Sequence, residues 1–197
     1  MDHRIISRLS DDQINQLARL HHRILPSLLT DLGLPIVERY YQFARADSSV
    51  ISACALDANG SLLGWAIGSP APNRVTRRIS DAWGWFILQM LRILFTRPRV
   101  MVQLIASSRS MQTELQEGAV ELTYIGVGES ARRQGLGRAL LATFIESARE
   151  RKFTSVELSV EAENADAIAL YTKVGFKIVA SYKEGAFERY HMVLKLQ

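Results

Sequence analysis

One continuous stretch, residues 120–141, constrains the fold more than any other part of the chain. Its first part, Val120–Val127, is rich in β-branched and aromatic residues and holds a single charge, Glu121. Such a run predicts a strand buried on both faces. After a turn, apolar residues recur every four positions from Leu136 to Ala148, which predicts an amphipathic helix. A buried strand that leads through a short turn into a helix is typical of an α/β protein.

The turn between this strand and this helix combines two glycines with three arginines. A helix N-terminus presents backbone N–H groups that lack partners, and it carries partial positive charge. The pattern fits a phosphate site, and it fits equally well a turn whose glycines serve only tight packing of the strand against the helix. It is neither a P-loop nor a Rossmann turn, because no Gly-Lys-Ser/Thr and no third glycine follow. The turn reads Arg132-Arg133-Gln134-Gly135-Leu136-Gly137, and Arg138 comes next.

A second segment, residues 164–176, carries a further pattern, NADAIALYTKVGF. It follows a predicted strand, residues 154–160, in which apolar residues alternate with Glu157 and Ser159. Together the two segments resemble the GCN5-related N-acetyltransferase (GNAT) superfamily, over residues 120–176. Arg132-x-x-Gly135-x-Gly137 matches the acyl-CoA pyrophosphate loop of that family. Its second motif is matched by Asn164, Ala167, Leu170, Tyr171, Gly175 and Phe176.

The resemblance implies an α/β fold with a central mixed β-sheet flanked by helices, in a single domain over residues 1–197. It implies that acetyl-CoA binds with its pyrophosphate on the glycine turn and its pantetheine arm along the central strand. Helices after the first strand are expected to wall the acceptor side of the cleft, with acceptor contacts within Leu28–Tyr41. The expected contacts with acetyl-CoA are Ile125, Gly126, Val127, Arg132, Arg133, Gln134, Gly135, Leu136, Gly137, Arg138 and Asn164.

Two side chains are predicted to be catalytic. Glu121 is the only acid in an apolar strand, and burial would raise its pKa toward neutrality, which suits a general base. Its offset from the glycine turn matches the catalytic glutamate of the histone acetyltransferase branch of the family. A solvated or ion-paired carboxylate, or one that only binds the acceptor, fits the sequence too. Tyr171 matches the family position near the thioester sulfur and is the predicted general acid, with a core aromatic residue as the alternative.

These residues predict an N-acetyltransferase in which an amine attacks acetyl-CoA directly in a ternary complex. The acceptor is a protein N-terminus, a lysine or a small-molecule amine, and the sequence does not choose among them. The alternative is a non-catalytic acyl-CoA-binding sensor or scaffold. Bacterial ribosomal-protein N-terminal acetyltransferases usually carry glutamate at the position of Ser159, so their acceptor is not inherited. Glu157 shares the parity of Ser159 and is expected to face the cleft or the solvent.

Residues 74–110 depart from the family pattern and predict a helical insertion. Apolar residues at helical spacing run from Trp83 to Leu94, and Pro98 ends the helix. Seven arginines and one acid give this insertion a charge of +6, and the whole chain is +4, so the rest carries −2. The apolar run is too short to span a membrane. A helical pair packed on the sheet, a basic surface for an anionic membrane or acidic partner, a homodimer interface and a lid over an apolar acceptor all remain open.

The remaining sequence features are a single cysteine, two adjacent histidines and two local signals for a helix start and a turn. Cys54 is the only cysteine, so it is predicted to be a small core residue in a reducing, cytoplasmic setting. His21 and His22 are adjacent on a predicted helix and cannot face one metal, so they are interpreted as surface or cleft-wall residues, with no metal site. No nucleic-acid partner is expected. Ser10–Gln13 predicts a capping box, and Asn59-Gly60 predicts a type I′ hairpin turn.

Overall fold

A computed structural model describes residues 3–7, 9–72, 74, 83–96, 115–184 and 187–196. Within them lie seven β-strands, six α-helices and a short 3₁₀ turn at Glu129–Ala131. The strands are β1 (His3–Ile6), β2 (Ile51–Asp57), β3 (Leu62–Ser69), β4 (Ala119–Val127), β5 (Ser155–Glu161), β6 (Lys177–Glu184) and β7 (Phe187–Lys195). The helices are α1 (Asp11–Ile24), α2 (Leu28–Asp31), α3 (Leu34–Ala46), α4 (Trp83–Thr96), α5 (Leu136–Glu150) and α6 (Ala165–Val174).

All seven strands form one mixed sheet, in the order β1-β2-β3-β4-β5-β7-β6. Neighbouring strands are antiparallel except β4 and β5, which are parallel. Helix α5 joins those two, as a parallel pair requires a crossover. The predicted mixed sheet with flanking helices is therefore confirmed, and the strand and helix of residues 120–141 lie at its centre.

The sheet separates two hydrophobic cores. The first core lies against α5 and α6, and Leu140, Leu141 and Phe144 of α5 are fully buried in it. The second core lies on the opposite face, against α1 and α3. Burial of one such leucine or phenylalanine side chain stabilises the fold by about 1.5–3 kcal/mol. The apolar faces of these helices therefore hold them against the sheet. Cys54 is buried in the second core, as predicted.

Short polar and glycine signals set the element ends as the sequence indicates. Ser10 and Gln13 form the predicted capping box at the start of α1. The side chain of Asn164 accepts a hydrogen bond from the Ala167 N–H, 3.2 Å away, and so caps α6. Gly175 ends that helix with φ at 110°, a left-handed conformation that glycine adopts without strain.

The turn between β2 and β3 corrects one prediction. A type I′ turn needs positive φ at both Asn59 and Gly60, but of these two residues only Gly60, with φ at 82°, has it. The carboxylate of Asp57 accepts hydrogen bonds from the N–H groups of Asn59 and Ser61, both at 2.8 Å. This bracing holds a longer turn, so the hairpin is confirmed and its turn type was wrong.

The insertion contains a helix where one was predicted. Helix α4 covers residues 83–96, and its Ile93 is buried in the second core. The second apolar segment of the insertion, residues 100–105, lies outside the described residues. None of the described helices has the length and apolar character that a membrane crossing requires.

Candidate functional site

The central opening of the sheet lies where β4 and β5 separate. They pair only at Ala119–Ser155, Val120–Val156 and Glu121–Glu157. Beyond Glu121, β4 continues along β3 as far as Val127, whereas β5 continues along β7 as far as Glu161. From Leu122 onward, the edge of β4 that faces β5 has no strand partner among the described residues. Its backbone N–H and C=O groups can therefore bind an extended ligand, and Ile125, Gly126 and Val127 lie along this edge.

The glycine turn follows directly at the end of β4. Arg132, Arg133 and Arg138 are exposed around it. Gly135 is the N-cap of α5 and provides no side-chain cap, so the first N–H groups of the helix have no cap partner. Arg133 and Gly135 both have positive φ, at 60° and 78°. The turn thus presents backbone donors and formal positive charge at one place, which is an anion-binding arrangement.

The two glycines of the turn have different reasons to be glycine. Gly135 needs its left-handed backbone, and an added Cβ there would meet nothing within 4 Å. At Gly137 an added Cβ would lie 3.7 Å from Val127 and 3.8 Å from Leu170, which are ordinary contacts. Tight packing therefore does not require glycine at position 137. This geometry favours the phosphate interpretation over the packing one.

The side chains of the turn brace it from within. Arg132 Nε donates to the backbone oxygen of Val127 at 3.3 Å. Gln134 Nε2 donates to the backbone oxygen of Ser130 at 3.1 Å. Leu136 is buried in the first core and anchors the start of α5. The predicted loop residues therefore lie together, some as exposed charges and some as its support.

A β-bulge decides which way the side chains of β4 point. Ile67 and Gly68 are consecutive on β3, yet they pair with Tyr124 and Leu122, so Thr123 is an extra residue on β4. Before the bulge, Leu122 packs into the first core, and after it Tyr124 packs into the second. The bulge inverts the alternation, so Glu121 and Tyr124 both face the second core, on the side of α1 and α3.

Glu121 lies at the fork between β4 and β5. Its carboxyl group is partly buried, and burial raises its pKa from 4.5 to about 7, with Glu157 and Glu184 adding to the rise. It forms no ion pair with another described residue. Within the described residues, the carboxyl group is therefore neither fully exposed nor ion-paired, and its role as a base or as an acceptor-binding group stays a prediction. A carboxylate that titrates near neutrality can accept a proton at physiological pH.

Glu157 occupies a different environment from the one expected. It faces neither open cleft nor solvent, because its side chain is fully buried. Its Oε2 lies 3.1 Å from His191 Nε2 on β7, and its Oε1 accepts the Gln116 N–H at 3.3 Å. Glu157 lies on the same face of β5 as Ser159, as predicted, but the neighbouring strand β7 covers its side chain. Ser159 itself accepts a hydrogen bond from the Tyr182 hydroxyl at 2.8 Å.

Tyr171 lies on the other side of the sheet from Glu121. It is buried in the first core and packs against the Phe176 ring, with centroids 5.7 Å apart. Burial raises the pKa of its phenol to about 12. Its hydroxyl has no hydrogen-bond partner among the described residues. The neighbouring Leu170 approaches Gly137, so α6 runs beside the glycine turn.

An aromatic wall lies beside Glu121, and the sequence did not predict it. The ring of Tyr124 contacts the rings of His21 and Tyr40, with centroids 4.8 Å and 5.6 Å away. Burial raises the pKa of Tyr40 and Tyr124, and the charge of Glu121 contributes in both cases. Tyr40 falls within the segment expected to contact the acceptor. Its approach to Tyr124 and Glu121 depends on tertiary packing, which the sequence does not show.

For His21, the surface interpretation was wrong, whereas its place in the aromatic wall fits the cleft-wall one. It is fully buried, with Nδ1 2.6 Å from the Tyr41 hydroxyl and Nε2 3.1 Å from Ser27 Oγ. Burial, and then His22, lower its pKa to about 4, so it is neutral at physiological pH. Among the described residues, no group of three or more His, Cys, Asp or Glu side chains is arranged to hold a metal ion.

Comparisons with known proteins agree with this architecture. A mycothiol acetyltransferase from Jonesia denitrificans is 29% identical over 150 residues, 74% of this chain and 46% of that protein. The [ribosomal protein bS18]-alanine N-acetyltransferase of Escherichia coli K12 is 48% identical over 52 residues, 26% of this chain and 35% of that protein. The chain thus spans less than half the length of these curated relatives.

Solved structures share the fold. The crystal structure of the ribosomal-protein-S18-alanine N-acetyltransferase from Escherichia coli has a TM-score of 0.62 at 19% identity, and covers 98% of this chain and 94% of its own. The sequence profile of the acetyltransferase (GNAT) family matches residues 14–176. That match includes the open edge of β4, the glycine turn and Tyr171. Because it covers well over half of the chain, the protein belongs to the GNAT acetyltransferase family.

Proposed function

We propose that this protein is an N-acetyltransferase that transfers the acetyl group of acetyl-CoA to an amine within a ternary complex. One observation carries the proposal. The open edge of β4 begins directly after Glu121, whose pKa is raised to about 7, and ends at the arginine-flanked glycine turn. A donor arm along that edge would connect an anion site to a base.

Acetyl-CoA binding is assigned to three parts of this site. The pyrophosphate would accept hydrogen bonds from the uncapped N–H groups at the start of α5, with Arg132, Arg133 and Arg138 adding charge. The pantetheine arm would pair with the open edge of β4 at Ile125 and Val127, as an added strand does. The remaining assigned contacts are Gly126, Gln134, Gly135, Leu136, Gly137 and Asn164. The cap at Asn164 occupies its side-chain oxygen and leaves its amide N–H groups for a ligand.

Glu121 is assigned the role of general base. It would take a proton from the acceptor ammonium group, directly or through a water. An α-ammonium group has a pKa near ~8, so a base with a pKa about 7 is well matched to it. The free amine then attacks the thioester carbonyl, a C–N bond forms, and the oxyanion can accept a hydrogen bond from a backbone N–H of β4. Removal of one comparable donor in other enzymes costs about 3 kcal/mol.

Tyr171 is assigned to the leaving thiolate as the C–S bond breaks. Because burial raises its pKa to about 12, the phenol stays protonated and can donate a hydrogen bond to sulfur. Complete transfer of its proton to a thiolate, whose thiol has a pKa near ~8.5, runs uphill. The phenol would therefore stabilise the developing charge, and the thiolate would receive, through water, the second proton that the attacking nitrogen loses as it becomes an amide.

The acceptor is assigned only to the amine class. The aromatic wall and the carboxylates around Glu121 suit a cationic amine with an apolar neighbour. The Ser159–Tyr182 hydrogen bond occupies the place where ribosomal-protein acetyltransferases usually carry glutamate. The substrate of the bS18 relative therefore gives no direct assignment for this chain.

The test is a thiol-release assay with acetyl-CoA over amines of several kinds, namely peptides with free N-termini, free lysine and linear polyamines. Isothermal titration with acetyl-CoA runs in parallel. We expect binding, and turnover with at least one amine that is lost in Glu121→Gln. Binding without turnover would favour the acyl-CoA sensor. Failure to bind acetyl-CoA would refute both functions.

A further inference from the structure

The outer face of α4 is apolar and exposed. Side chains of Ile87, Leu88, Leu91, Leu94 and Phe95 are 39%, 63%, 47%, 46% and 83% exposed. At 100° per residue they form one stripe about a third of the helix circumference wide. Ile93 lies on the opposite side and is buried in the second core. The helix is therefore anchored to the protein by one face and offers the other to a partner.

The charge of the same segment indicates what that partner is. Seven arginines and one acid lie between residues 74 and 109, against a net charge of −2 for the rest of the chain. Arg74 and Arg92 are described, and both are exposed. An apolar stripe with leucine and phenylalanine, on a helix that carries Arg92 and belongs to an arginine-rich segment of the sequence, is typical of a helix that lies in the headgroup region of a bilayer.

We propose that the outer face of α4 docks on an anionic lipid surface. The stripe would enter the boundary between headgroups and acyl chains, while the arginines would contact acidic headgroups. A second copy of the chain fits less well, because it would bring two segments of +6 together. An acidic protein would match the arginines, but it would need an apolar groove of its own for Leu88 and Phe95.

The test is flotation of the full-length protein with two kinds of vesicle, one of phosphatidylcholine alone and one with a third of phosphatidylglycerol. We expect the protein to bind the anionic vesicles at low salt. Its binding should be about tenfold weaker in high salt, and about tenfold weaker to the neutral vesicles. The double variant Leu88→Glu/Phe95→Glu should bind anionic vesicles at least about tenfold more weakly. Both side chains are exposed, so folding should persist, as circular dichroism and acetyl-CoA titration can verify.

A matched control separates the stripe from bulk charge. Ile178→Glu/Val179→Glu adds the same two charges at apolar positions on β6 that are 49% and 55% exposed. We expect its binding to stay within about twofold of the unchanged protein. Equal loss in both variants, or no flotation at low salt, would overturn the proposal. So would a dimer in sedimentation that the α4 variant abolishes while vesicles still fail to bind.

Discussion

Glu121→Gln should make this protein more stable at alkaline pH while it removes activity. The substitution keeps the shape of the side chain and removes its charge. Burial raises the pKa of Glu121 from 4.5 to about 7, with help from Glu157 and Glu184. The folded protein therefore holds a proton that the unfolded chain releases between these two pH values. Stability from this group is full below pH 4.5 and is lost as the pH rises to 7.

The magnitude follows from the same two pKa values. Each pKa unit is worth about 1.36 kcal/mol, so an ionised Glu121 costs the folded state about 3 kcal/mol once the pH exceeds 7. Integration over the titration predicts that the glutamine variant gains about 1 kcal/mol at pH 5 and about 3 kcal/mol at pH 8. The free energy of unfolding should thus fall with pH in the unchanged protein more steeply than in the variant.

The assay is urea unfolding at a series of pH values from about 5 to about 8, followed by circular dichroism. The control is Glu163→Gln, which removes an exposed carboxylate and should leave the pH dependence as it is. In parallel, kcat/KM should rise with pH through a limb near 7 in the unchanged protein, and the glutamine variant should lose that limb.

A glutamine variant whose unfolding free energy follows the unchanged protein at every pH would refute the reasoning. It would mean that Glu121 is solvated in the folded state and carries no raised pKa. A gain in the free energy of unfolding that is the same at every pH would also refute it, because an effect of packing alone does not depend on protonation. Full activity of the variant would remove Glu121 from proton transfer.

Three further predictions test the other parts of the site. Tyr171→Phe should lower kcat about 10²-fold with unchanged acetyl-CoA affinity in calorimetry, and equal losses in both would assign Tyr171 to packing. Gly126→Ala should destabilise the fold by about 1–3 kcal/mol in urea unfolding, because the new Cβ would lie 2.6 Å from the Trp65 ring; an unchanged midpoint would contradict that packing. His191→Ala should cost about 3 kcal/mol by the same measurement, because the buried Glu157 carboxyl group would lose its contact with His191 Nε2, 3.1 Å away; a loss near zero would show that the contact is not buried in solution.

The sequence predicted those parts of the molecule that depend on local pattern. The strand and helix of residues 120–141, the capping box of α1 and the helix in the insertion all follow from spacing and capping residues. Glu121 was identifiable because it is the single charge in an apolar run. The glycine turn was identifiable because its donors and charges are contiguous in the chain.

What the sequence could not predict depends on pairing between distant segments. Glu157 meets His191, which lies on another strand and comes after α6 and β6. His21 is buried because Tyr41 and Trp65 close over it, and its ring stacks on the indole with centroids 5.7 Å apart. Neither partner has a fixed spacing from its residue. The type I′ turn failed for a related reason, because the Asp57 carboxylate outweighed the Asn-Gly preference.

The end of the pairing between β4 and β5 and the bulge at Thr123 coincide within residues 121–123, and their coincidence explains why the acid is at 121. Glu121 is the last residue of β4 that pairs with β5, and the Thr123 bulge follows it. One step earlier along the same face, Ala119 is nearly inaccessible, so an acid there could not reach a substrate. Beyond the fork, the backbone is open to the donor, and a carboxylate would lose the parallel neighbour Glu157, whose charge helps to raise the pKa of Glu121. At position 121 a carboxyl group is therefore partly buried and still close to the proposed donor site. Because of the bulge, Ile125 and Val127 lie on the face of the first core, whereas Tyr124 lies in the aromatic wall on the other face.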